Sequence, residues 1–171
     1  MKPAPLIAPA LLALRQPSSH SSALLTRQAG VDAPCAPVHI FLARGNNEPY
    51  PGRQGKLVEA ICSGFDDGDC DYEDIQFYNP LPAPYCDSVT EGQANGVKQI
   101  TEYSERCPDA KLVVSGYSQG GHVVGDVLGG GGGVFFQDCV QKDSEGLKAD
   151  SEPGSKSKWK FICRILGVKG G

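Results

Sequence analysis

The 171-residue sequence has only three histidines, one methionine and one tryptophan, and it carries no surplus of positive charge. Lysine and arginine number 16 against 20 aspartates and glutamates, a formal net charge of −4. Without a basic field there is nothing to neutralise a phosphate backbone, so nucleic acid is excluded as a partner. Beyond the first 14 residues no stretch is apolar enough to cross a bilayer. One tryptophan and 8% aromatics give no clear platform for stacking sugar rings. No CxxC pair is present and no histidine stands beside a cysteine, so neither zinc nor any other metal or cofactor is expected. The length allows one compact domain and hardly two, and there is no internal repeat.

What is present is cysteine, seven in all. That density points to an oxidising compartment, and the odd count leaves at least one thiol unpaired or bonded outside the chain. Lys2 precedes an apolar run from Pro3 to Leu14, with Ala10 and Ala13 near its end. This is the outline of a signal peptide, although Pro3, Pro5 and Pro9 also fit a disordered leader. Gln16 to Gln28 is polar and Ser-rich, so residues 1–27 read as signal peptide plus pro-segment of a secreted, extracellular protein.

The folded part is expected to begin near Cys35. Val38 to Ala43 is a short apolar run that ends in Arg44-Gly45-Asn46-Asn47, a buried strand entering a loop. Gln54 to Cys62 places Leu57, Val58 and Ile61 at helical spacing, and Asp66 to Asp71 reads as an acidic loop. Ile75 to Tyr78 is expected as a second strand, closed by Asn79-Pro80. Ser88 and Glu91 have capping-box spacing and should open a helix that ends near Cys107-Pro108. Lys111 to Ser115 is the clearest strand, and a helix follows from Gly121 to Leu128. Strands alternating with helices predict an α/β fold with a parallel sheet and crossover helices. The five glycines from Gly129 should end regular structure.

Between the clearest strand and its helix stands Gly116-Tyr117-Ser118-Gln119-Gly120, the GxSxG pattern of a nucleophile elbow. The glycines Gly116 and Gly120 let a strained turn pass between strand and helix without side chains in the way. The turn presents Ser118 as a catalytic nucleophile at a helix N-terminus, where N–H groups favour developing negative charge. The backbone N–H of Gln119 becomes one oxyanion donor. A second comes by rule from the loop after an earlier strand, and Arg44 to Asn47 fits that position as well as it fits a plain turn.

Acyl transfer also needs a base, and the histidines are poorly placed for it. His20 lies in the leader. His39 is inside a strand and reads as a core or face residue. His122 follows Ser118 by four residues on the helix, whereas Ser118 sits in the turn, so it is not expected to serve. Asp126 repeats that spacing and reads as a solvated or capping residue.

Gly116 to Gly121, the upstream Cys107-Pro108-Asp109-Ala110-Lys111, and Ala43-Arg44-Gly45-Asn46 with Cys35 before it resemble the fungal cutinase and acetylxylan esterase family, as does the glycine run followed by Phe135-Phe136 and Cys139. The resemblance covers about Cys35 to Cys139. It implies a cutinase-like α/β-hydrolase, a three-layer sandwich about a mainly parallel sheet, with residues 35–140 as the esterase core and 141–171 as a divergent, disordered tail. It implies a monomeric serine esterase that cleaves esters of plant cell-wall polymers, cutin or acetylated xylan, through an acyl-serine at Ser118. Gln119 and Asn46 would form the oxyanion hole, Asn46 standing where the family often has Ser or Thr, and Cys35 would pair with Cys107. Cys62 with Cys70 is the pairing expected in the variable region, although spacing does not fix connectivity. Family members continue through a triad Asp and a triad His that this chain does not supply after Ser118. The expectation is therefore a truncated gene model or retained intron, and an inactive chain with at most a binding role is the alternative function.

Overall fold

A computed structural model describes residues 34–134, 140–147 and 164–166. The leader assigned to 1–27, Cys139 and most of the 141–171 tail lie outside the described residues.

Strand β1 (Val38–Ala43) is buried along its whole length because it is covered on both faces. Phe41 and Ala43 point to one side, where helices α2 (Tyr85–Arg106) and α3 (Gln119–Gly129) lie over Ile75, Phe77, Leu112 and Val114. Val38, Ile40 and Leu42 point to the other, against Val58 of helix α1 (Gly55–Cys62) and Tyr72. The result is helix, sheet and helix in three layers. Strand β2 (Cys70–Asp74) pairs parallel with β1, which pairs parallel with β3 (Lys111–Tyr117). Gly92 and Gly96 let α2 approach α3 closely: a Cβ on either would lie 2.8 or 2.6 Å from a methyl of Val123 or Val127.

Two disulfides staple this frame. Cys35–Cys107 joins the entry of β1 to the end of α2, 72 residues apart, and Cys62–Cys70 closes the loop from α1 to β2. Closing the larger loop is worth about 4 kcal/mol in the chain-entropy account. Cys86 is disulfide-bonded as well.

Several elements differ from the sequence reading. The second strand is Cys70–Asp74, drawn partly from the expected acidic loop, and Ile75 to Tyr78 is not a strand. Two of the strand's three acidic side chains find partners: Asp71 meets His39, and Glu73 accepts from Gln99 at 2.9 Å. Ile75 and Phe77 are buried without belonging to the sheet, which is why the apolar signal misled. The Ser88–Glu91 capping box does not form. The helix starts three residues earlier at Tyr85, the Ser88 hydroxyl donates to the Pro84 carbonyl, and Glu91 accepts from the Tyr78 N–H. The glycine run ends α3 at Gly129, but regular structure resumes at Gly131. Strand β4 (Gly131–Val134) pairs antiparallel with β5 (Val140–Ser144), since a ladder needs only backbone groups. Of the residues from 141 onward, 141–147 and 164–166 are described. Gln141 is buried and bonded to Asp126, and β6 (Arg164–Leu166) adds in parallel to the far edge of β3.

His39 is fully buried and stacked on Tyr103 at 3.7 Å, with Nδ1 2.5 Å from Asp71 and Nε2 3.7 Å from Glu73. Burial pushes its pKa down, yet the two carboxylates outweigh burial and hold it above the usual histidine value. A raised folded-state pKa gives stability that is complete below the unfolded value and is lost as pH rises through the folded one. The thermal midpoint should therefore fall from pH 6 to pH 9 more steeply in the natural chain than in His39→Gln. Parallel curves from scanning calorimetry would contradict the assignment.

Candidate active site

Ser118 is the single residue between the end of β3 at Tyr117 and the start of α3 at Gln119. Its φ is 53° and ψ −118°, a strained conformation for a residue with a side chain. Such strain persists only where the surroundings enforce it, and here two glycines do so. A Cβ on Gly116 would lie 2.1 Å from the Gly120 carbonyl oxygen; one on Gly120 would lie 2.0 Å from the Ala43 oxygen. These are backbone atoms that cannot move aside. The turn is thereby pressed against the carboxyl end of β1, and Ser118 stands exposed.

The Ser118 carbonyl accepts from Gly121 and His122 at 2.8 and 3.4 Å, which winds the first turn of α3. The Gln119 N–H, first in the helix, has no intrahelical partner and lies at the positive end of the helix dipole. Ala43 pairs with Gly116 in parallel register, so the Arg44–Asn47 loop leaves the sheet at the same edge as Ser118.

The loop is a turn held against the elbow. Asn47 takes a left-handed turn conformation with φ 57°, and its N–H donates to the Asn79 carbonyl at 2.8 Å. Asn46 turns its amide toward the elbow, donating to Asn79 O at 3.2 Å and Gln119 Oε1 at 3.4 Å. Gln119 is buried, and its Oε1 also accepts from Asn79 Nδ2 at 3.1 Å. Asn79 is fully buried and donates in addition to Gly45 O at 3.0 Å. Sequence reasoning missed Asn79, treating it as the close of a strand. Its partners are 34 and 40 residues away, and no local pattern announces such a contact.

The base is the unmatched part. Among the described residues no imidazole nitrogen is hydrogen-bonded to Ser118 Oγ. His39 belongs to the β1–β2 cluster, and the Nε2 of His122 lies 3.4 Å from Asp126 Oδ2, farther along α3. Burial holds His122 below the usual histidine value, with Asp126 working against it. Asp126 is neither solvated nor a cap: it is buried and accepts from Gln141 Nε2 at 2.8 Å. At the end of β2, burial pushes the Asp74 carboxyl up to about 6 against the pull of Arg44. Among the described residues no group of three His, Cys, Asp or Glu side chains is placed to hold a metal ion.

Residues 34–151 match the model of the Cutinase family. The chain is 28% identical over 103 residues to acetylxylan esterase 2 of Talaromyces purpureogenus, covering 57% of this chain and 44% of that protein. It is 29% identical over 130 residues to cutinase 11 of Verticillium dahliae, covering 72% and 42%. The chain thus spans less than half the length of these curated relatives. Among solved structures, the catalytic core domain of acetyl xylan esterase from Trichoderma reesei superposes with a TM-score of 0.58 at 25% identity, covering 68% of this chain and 58% of that one. An iodinated complex of acetyl xylan esterase gives 0.53 at 28% identity, covering 64% and 56%. The three-layer fold is that of cutinase-like α/β-hydrolases.

Gly120→Ala should destabilise the chain by more than ~3 kcal/mol, the upper range for overpacking, since backbone blocks the new methyl. Gly121→Ala, whose Cβ would meet nothing nearer than 3.6 Å, should leave the thermal midpoint unchanged or higher. Equal midpoints for the two variants would show that the close approach does not exist.

Proposed function

The chain belongs to the cutinase family, and on that premise we propose that it is a secreted serine carboxylic ester hydrolase directed at plant cell-wall esters, either cutin or acetylated xylan. The observation that carries the reading is an exposed Ser118 at φ 53° between strand and helix, next to the Gln119 N–H and the Asn46 loop. In this reading Ser118 Oγ attacks the ester carbonyl and forms an acyl-serine, and the alcohol leaves. The backbone N–H groups of Gln119 and Asn46 hold the oxyanion. Water then releases the acid. The relatives named for acetylxylan and cutin supply the two substrate classes. The disulfides fit an extracellular site of action.

A second reading is ester binding with little turnover, favoured by the engagement of His39 with Asp71 and of His122 with Asp126. A serine hydrolase deprived of one triad member retains roughly 10³–10⁴-fold acceleration over water from its oxyanion hole and binding.

Hydrolysis of p-nitrophenyl acetate by the purified chain separates the readings. The esterase reading expects release of p-nitrophenolate that Ser118→Ala abolishes. Release that survives Ser118→Ala, or none from folded protein, contradicts it. Binding to insoluble xylan or cutin without release supports the second.

A further inference from the structure

We infer that Glu48 is a positioning residue, whose carboxylate, through Arg53 and Tyr117, sets the spacing between the Asn46 loop and the Ser118 turn. The inference rests on the esterase reading for its chemical consequence and on geometry alone for the bridge itself.

The Asn46 loop returns on itself around one carboxylate. Glu48 Oε2 accepts the Gly45 N–H at 2.9 Å, and Glu48 N–H donates to Gly45 O at 3.2 Å. Its other oxygen, Oε1, accepts from Arg53 Nε at 2.6 Å. Arg53 then crosses to the second segment, where Nη1 donates to the Tyr117 hydroxyl at 2.8 Å and the guanidinium lies 4.2 Å over the Tyr117 ring. The circuit closes through space, because a Cβ on Gly45 would lie 2.9 Å from the same ring and 3.0 Å from Glu48 Oε2. Gly45 adjoins Asn46, and Tyr117 adjoins Ser118. One charged chain of contacts therefore ties the segment holding one oxyanion donor to the segment holding the nucleophile and the other donor. The Asn46–Asn79–Gln119 amides tie the same two segments through different atoms.

This bridge is badly placed to serve stability. Arg53 is 63% exposed and Glu48 15%, and an ion pair with one partner in solvent adds little to folding. Oxyanion donors, in contrast, act only when aimed at where charge develops, and losing one lowers the rate by about 10²–10³-fold. A contact that matters little for unfolding and much for donor placement should separate in two measurements.

The test uses the whole chain and a p-nitrophenyl alkylphosphonate. In this reaction a bond forms between Ser118 Oγ and phosphorus, the bond to p-nitrophenolate breaks, and the serine proton passes to solvent. Ser118→Ala, which should release no p-nitrophenolate, is the control. Glu48→Ala should slow release at least tenfold, Glu48→Gln should recover part of it by still accepting from Gly45, and both should unfold within about 3 °C of the natural chain. Adding Tyr117→Phe to Glu48→Ala should slow the reaction no further, since one bridge is already broken. Labelling of Glu48→Ala at the natural rate overturns the inference. Should Glu48→Ala fail to fold, Tyr117→Phe alone carries the test and should also slow labelling. A natural chain that is never labelled defeats the esterase reading instead. The bridge is then read from ¹H–¹⁵N spectra, in which Tyr117→Phe should shift the Gly45 and Asn46 amides and speed their exchange. Unmoved amides overturn the inference.

Discussion

The turn at Ser118 exists because two backbones touch where no side chain could stand between them. Gly120 sits against the Ala43 and Arg44 carbonyls, and Gly116 against Gly120 itself. Each contact is too close for even a methyl group. With the β3–α3 turn pressed onto the end of β1, Ser118 has no relaxed conformation available and accepts a positive φ of 53°. The strain is sustained by the frame around it. β1 is buried on both faces, α2 and α3 close on each other through Gly92 and Gly96, and the Cys35–Cys107 bond holds the entry of β1. Packing energy spread over the sheet supports a local conformation that a free chain would leave.

Around that turn, polar side chains bond to one another in a connected network. Gln119 begins α3, its side chain is fixed by Asn46 and Asn79, and the Asn46 loop is held from the other side by Glu48 and Arg53. Apart from the local Glu48–Gly45 bond, these contacts join segments far apart in sequence, brought to one edge because parallel strands end together. The exposed Ser118 thus stands beside the Asn46, Asn79 and Gln119 amides, while the described histidines face Asp71 and Asp126 instead.

The sequence displayed the parts whose signals are local. A strand-to-helix turn flanked by glycines, an apolar β1, and the β3–α3 unit could be read from spacing because the same residues that give the signal make the structure. What stayed hidden depends on distant partners. Cys70–Asp74 looks like a loop until His39 pairs with Asp71 and Gln99 donates to Glu73, and Ile75 and Phe77 look like a strand although they are simply buried. Asn79, Glu48 and Asp126 carry no pattern of their own. Their roles come from Gly45, Arg53 and Gln141, which the fold delivers. Glycines 131 to 133 look like a break because side-chain propensity does not register the β5 backbone that pairs with them.

The central claim is geometric, that one serine is raised at the sheet's carboxyl edge between two amide donors. A crystal structure of the chain after exposure to a p-nitrophenyl phosphonate tests it directly. The account predicts phosphorus bonded to Ser118 Oγ alone, with its free oxygen about 2.7–3.1 Å from the N–H groups of Gln119 and Asn46. An adduct on another residue, or a phosphoryl oxygen turned to solvent away from both, would contradict it.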